Sequence, residues 1–217
     1  MNNISSGLTV RINSKIIKKN NFLIKLAFTF AFAITMAVSA NTFIYIPVTP
    51  VPITLQTLTV LISGIFLGSR FAFLSQLQYL MLGIIGFPVF AGFKSGVYTL
   101  LGPTGGYLIG FVFAAYVTGY IFENFSKNIK DNLYLCLISC MSGLIVIYLS
   151  GYIHLFGYLS SVMGSTAVKT LALKTFDLAI KPFILVEFIK FFIIIDSAAI
   201  WKLNSHHNFP GKNQTGI

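Results

Sequence analysis

The chain is 217 residues long, 56 % of them hydrophobic and only 9 % charged, with a formal net charge of +10 and a mean hydropathy of +0.84. A soluble domain carries about 25 % charged residues, so this chain cannot clothe a water-facing surface, and its hydrophobicity excludes intrinsic disorder. The basic excess is not gathered on one polar face, as nucleic-acid binding requires. It lies at the N-terminus (Arg11, Lys15, Lys18, Lys19) and in gaps between apolar runs, where it orients a membrane protein. The length accommodates about six membrane helices of roughly 20 residues each. The expected fold is therefore an all-α integral membrane protein with six transmembrane helices over 22–203, a basic cytoplasmic tail at 1–21 and a polar cytoplasmic tail at 204–217.

In chain order, residues 1–21 are polar and basic, with room for a surface-lying turn of helix at Ile16 and Ile17. The first apolar run is Phe22–Ile46. Its basic head and Val38-Ser39-Ala40 resemble a cleaved signal peptide, but its length and the return of apolar character at Phe43-Ile44 favour a retained helix. Pro47, Pro50 and Pro52 cannot continue that helix, so Ile46–Thr54 is either an outside loop or a re-entrant element beside a binding site. Two short apolar segments follow, Thr54–Gly68 and Phe71–Gly86, joined by a polar turn at Ser69-Arg70. Gly64 and Gly68 have the spacing that lets helices approach closely.

The stretch Phe87–Tyr107 is rich in glycine and aromatics but has neither a phosphate-loop nor a dinucleotide-binding signature. It is expected to be a lid with rigid apolar walls. A fourth helix is expected over Gly106–Phe122, with Gly102, Gly106 and Gly110 as a glycine ladder, then a polar loop holding Glu123, Lys127, Lys130 and Asp131. A fifth helix follows over Leu133–Ile153. His154–Asp177 is too polar for a span and reads as a loop with one amphipathic helix, and the sixth helix runs over Ile180–Trp201. The lysine and arginine distribution puts both termini in the cytoplasm and the three irregular loops together on the outer side, capping an outward-open pocket.

The sixth helix carries Glu187 and Lys190 inside an apolar context, with Asp196 further along. A charge at the bilayer centre costs about 2.5–3.5 kcal/mol and usually faces the bundle interior. The i,i+3 spacing puts Glu187 and Lys190 on one face, as a ligand site or as a self-neutralising ion pair. Gln56 either faces a polar ligand or caps a helix start, and Tyr79 and Tyr107 line a pocket or belong to an interfacial belt. His154, His206 and His207 lack companions for a metal site. Cys136 and Cys140 read as small apolar residues of a helix. No nucleophile motif or ATP-binding signature is present, which weighs against an enzyme or a self-powered pump.

Three strings occur in order: Pro50-Val51-Pro52-Ile53-Thr54-Leu55-Gln56-Thr57-Leu58, Leu82-Gly83-Ile84-Ile85-Gly86-Phe87-Pro88-Val89-Phe90-Ala91-Gly92, and Gly102-Pro103-Thr104-Gly105-Gly106-Tyr107-Leu108-Ile109-Gly110-Phe111. Together they resemble the BioY family, the biotin-binding S subunits of energy-coupling-factor (ECF) transporters. The resemblance implies a six-helix S-component bundle in a prokaryotic inner membrane, with no cofactor. It also implies biotin as the transported ligand, and a transmembrane T subunit and two ATPase subunits as partners. A solitary transporter of biotin or another small vitamin is the alternative. The family's Asp-x-x-Lys motif after Pro-Phe is matched here by Pro182-Phe183 followed by Glu187 and Lys190, with glutamate in place of aspartate. Biotin offers a ureido ring, an apolar thiophane and a carboxylate tail. Glu187, Lys190 and Gln56, walled by Phe90 and Tyr107, can meet these; whether Lys190 takes the ureido oxygen or the tail carboxylate stays open at this point. The family's Ala-x-x-x-Ala surface toward the T subunit is matched by Ala33 and Ala37, with Ala27 and Ala31 as a second candidate.

Overall fold

The structure, a computed structural model, describes residues 5–125, 133–164, 167–190 and 192. The elements in order are α1 (Ser5–Asn41), a hairpin of β1 (Phe43–Ile44) and β2 (Ile53–Thr54), α2 (Gln56–Leu67), α3 (Ser69–Ile85), α4 (Val97–Leu101), α5 (Gly105–Phe125), α6 (Leu133–Met163) and α7 (Val168–Ala179). After a turn at Ile180 the chain is helical again over 181–190. Asp196, Trp201, His206, His207, Lys127, Lys130 and Asp131 lie outside the described residues.

Three helices are long and apolar enough to cross a membrane among the described residues: Phe22–Asn41, Gly105–Phe125 and Tyr134–Met163. At 12 and 17 residues, α2 and α3 are shorter than the roughly 20 of a straight span. The exterior is apolar: Phe28 and Ile34 on α1, Phe113 on α5, and Ile145, Leu149 and Ile153 on α6 are all exposed. The interior holds polar residues, among them Ser63, Gln76, Thr118, Glu187 and Lys190. That inversion of the soluble pattern suits lipid as the surrounding solvent.

Element ends follow local chemistry. The break between α2 and α3 is Gly68, whose φ of +76° favours glycine, one residue ahead of the expected Ser69-Arg70 turn. At the end of α3, Gly86 is left-handed. Its N–H bonds Gly83 O, and Phe87 N–H bonds Leu82 O, a Schellman closure. Within the stretch expected to be a tail, residues 5–21 are helical and continuous with the first apolar run.

The centre of the bundle is α5, which packs against α2, α3 and α6. Gly106 and Gly110 let α6 lie close, since a methyl on either would overlap Ser150 or His154. Gly102, the expected first rung of that ladder, caps α4 instead. The α6 helix runs past the expected end at Ile153 to Met163. Its polar residue there, His154, meets Gly102 O through Nε2 at 2.9 Å, so the imidazole is satisfied inside the protein and the helix need not stop. The amphipathic helix expected within 154–177 is α7, which turns Leu171, Thr175 and Ala179 inward and leaves Lys169 and Lys174 exposed.

The two alanine pairs of α1 differ in exposure. Ala33 is completely buried with Thr29, Met36 and Ala40, the inward stripe of α1, and Ala37 is half-buried. The alanines of α1 that remain exposed are Ala27 and Ala31.

Candidate ligand-binding site

The hairpin, the Phe87–Thr104 stretch and the end of α7 fold over one end of the bundle. Pro47, Pro50 and Pro52 lie between β1 and β2, which pair antiparallel with Phe43 opposite Thr54 and Ile44 opposite Ile53. The hairpin loop and α5 are each tied to the end of α7 across the cavity end. Thr49 donates to Leu178 O at 2.7 Å, and the Tyr107 hydroxyl donates to Ala179 O at 2.8 Å. Both bonds satisfy carbonyls in the last turn of α7, which the helix itself leaves unpaired.

Beneath this cover is a cavity of about 300 Å³. Small-ligand pockets run from about 300 Å³ upward, so the volume suits a compact molecule rather than a peptide. Its rim is exposed and includes Tyr45, Pro50, Lys94 and Tyr98. Its floor is buried and includes Gln56, Thr57, Glu187 and Lys190. Gln56, Phe90, Tyr107, Glu187 and Lys190, the five ligand-site residues expected from the sequence, all line this one cavity.

The floor is a closed polar cluster. Lys190 Nζ lies 2.7 Å from Glu187 Oε1 and 2.8 Å from Thr57 Oγ1. Thr57 Oγ1 is 2.9 Å from Glu187 Oε1 and 3.2 Å from Oε2, and the Tyr148 hydroxyl donates to Oε1 at 3.0 Å. Glu187 and Lys190 are thus a buried ion pair, and both line the cavity. An ammonium has three N–H donors, so Lys190 keeps one to give. The contacts crowd onto Oε1, and Oε2 is met only by the longer Thr57 contact. That oxygen can accept a further hydrogen bond.

Gln56 is fixed from both ends of its amide. Its Oε1 accepts from Thr54 at 3.1 Å, and its Nε2 donates to the Tyr79 hydroxyl at 2.9 Å, which in turn lies 3.2 Å from Val89 O. One amide N–H is left for a ligand. The walls are aromatic. Tyr107, Tyr148 and Phe183 form a cluster with ring centroids 5.8–6.3 Å apart, and Tyr79 meets Phe90 edge-on at 5.6 Å. Phe90 reaches its place because Gly83 of α3 has no side chain; a methyl there would overlap its ring.

Sequence reasoning missed Thr57 and Tyr148. Thr57 adjoins Gln56 and was the available signal, a second polar residue at the start of an apolar helix. Tyr148 gives no such signal, since it sits in a long apolar run like any interfacial tyrosine.

A compact cavity with apolar walls and a charged, hydrogen-bonded floor, inside a helical bundle with an apolar exterior, defines a small-molecule binding protein of the membrane. The chain matches the BioY family over residues 11–205, most of its length, and belongs to that family. Among similar proteins, the biotin transporter BioY of Thermotoga maritima is 38 % identical over 138 residues, 64 % of this chain and 79 % of the relative. The probable biotin transporter BioY of Pyrococcus horikoshii is 37 % identical over 152 residues, 70 % of this chain and 81 % of the relative. A crystal structure of the S-component for biotin from an ECF-type ABC transporter superposes with a TM-score of 0.65 at 25 % identity, covering 82 % of this chain and 90 % of that one. The chain is accordingly a transport protein of this family and not an enzyme.

Proposed function

We propose that the chain is the substrate-capturing S subunit of an ECF-type vitamin uptake system, binding biotin in this cavity for ATP-driven import by partner subunits. The observation that carries the reading is the floor of the cavity. One spare Lys190 N–H and the under-used Glu187 Oε2 stand side by side on one helix turn, facing apolar walls. A ureido ring presents a carbonyl and N–H groups on adjacent atoms, so it accepts from Lys190 and donates to Glu187 at once. Gln56 offers a further N–H, and Phe90, Tyr107 and Phe183 cover the apolar thiophane. The names of the relatives and of the solved S-component support biotin as the ligand.

In this reading the bundle crosses a prokaryotic plasma membrane six times, both termini are cytoplasmic and the cavity opens outward. The partners are a transmembrane T subunit and two ATPases, and the exposed Ala27–Ala31 face of α1 meets the T subunit. Titration of the purified chain with biotin tests ligand capture, with saturable tight binding expected. Uptake into vesicles with and without the partner subunits tests the energy source. Accumulation by the chain alone would replace the ATP-driven reading with that of a solitary transporter.

A further inference from the structure

We propose that Lys94 is the carboxylate-binding residue of the cavity, receiving the anionic end of the ligand while the neutral ring lies against Glu187 and Lys190. The inference rests on the reading of the cavity as a biotin site. Two ammonium groups line the cavity, Lys94 and Lys190. Lys190 is buried and spends its charge on Glu187 at 2.7 Å, so the floor carries no net charge. A second carboxylate brought to the floor would face that of Glu187 in a site shielded from water, without a counter-charge of its own. Lys94 stands at the exposed rim and has no ion-pair partner among the described residues. Charge therefore sorts the two ends of the ligand, with the uncharged ureido ring inward and the carboxylate outward.

The turn that carries Lys94 is held in place by its surroundings. Phe90 N–H donates to Lys94 O at 3.0 Å, which ties the lysine to a residue of the buried wall. Between them Gly92 and Phe93 have φ of +73° and +56°. A left-handed phenylalanine is uncommon and persists only where neighbouring structure imposes it. Here Asn41, at the end of α1, does so: its Oδ1 accepts from Phe93 N–H at 2.8 Å. On the other side of Lys94, Gly96 N–H bonds Gly83 O at 2.7 Å. Strained backbone over-determined from both sides, next to a cavity-lining cation, is how ligand clamps are built. A lysine suits the task, because a point charge on a flexible stem can follow a flexible acyl tail.

The test is a titration of the purified full chain with biotin and with biotinamide, whose tail carries no charge. The readout is the ratio of the two affinities. The unmodified chain is expected to favour biotin about tenfold, the scale of one charge-assisted hydrogen bond. Lys94→Ala should bring the ratio toward one, Lys94→Glu should invert it and Lys94→Arg should keep it, and added salt should narrow it because the rim is exposed. An equal ratio in the unmodified chain and in Lys94→Ala overturns the proposal. So does binding of both ligands by the unmodified chain without discrimination, which leaves the biotin reading standing. Binding of neither ligand overturns the biotin reading itself and the role of Lys94 with it.

Discussion

Replacing Lys190 by methionine keeps an unbranched side chain of similar reach and deletes its charge. The 2.7 Å bond to Glu187 and the 2.8 Å bond to Thr57 disappear, and Glu187 becomes a lone buried anion. Removing one partner of a buried ion pair costs about 3–5 kcal/mol. The low end, about 3 kcal/mol, is expected here, because the hydroxyls of Tyr148 and Thr57 still donate to the carboxylate. Adding Glu187→Gln removes the stranded charge while leaving an oxygen to accept from both hydroxyls. The double variant should therefore regain about 2 kcal/mol over Lys190→Met alone, a coupling measurable by a double-mutant cycle. Denaturant unfolding of the purified chain in detergent gives the stabilities, and titration gives biotin affinity. Affinity should fall about 100-fold in both variants, the scale of a lost hydrogen bond to a charged group. Additive stability losses would refute the coupled cluster, and unchanged biotin affinity in Lys190→Met would refute the site.

Gly83→Ala should push the Phe90 ring out of the cavity wall, costing about 1–3 kcal/mol of stability together with ligand affinity. A detergent melt and a titration read the two effects, and a variant with unaltered affinity would show that Phe90 does not shape the ligand's contact surface. Ala31→Trp places a bulky side chain on an exposed face of α1, at a residue that does not line the cavity. It should leave biotin affinity within about twofold while abolishing co-purification with the T subunit, since surface changes usually stay within about 0.5 kcal/mol. Retained co-purification would move the partner interface elsewhere.

Much of the site was legible in the sequence because lipid makes polar residues conspicuous. Glu187, Lys190 and Gln56 stand out in apolar runs, and the helical repeat places the first two on one face. The aromatic walls were legible only through the family strings, since Phe90 and Tyr107 differ in no local respect from the many aromatics that face lipid. Side-chain partners decided what periodicity could not. The contact of His154 with Gly102 O lets α6 continue past a polar residue, and the four-residue spacing of Ala33 and Ala37 fits an inward face as well as an outward one. The extent of α1 is hidden for a similar reason. A polar sequence that continues an apolar helix gives no signal of where the hydrogen-bonded backbone begins.

The bond from Asn41 to Phe93 has a mechanical meaning. From Ala31 to Asn41 is about 15 Å of continuous helix, at 1.5 Å per residue, and a helix resists stretching along its axis because its hydrogen bonds lie nearly parallel to it. Asn41 is thus the far end of a stiff rod whose near end carries exposed alanines, and its amide grips the one strained turn of the rim. A lengthwise shift of α1 would strain this 2.8 Å bond and so bear on that turn of the rim. The proposed carboxylate site therefore sits on a turn that is hydrogen-bonded to the end of α1.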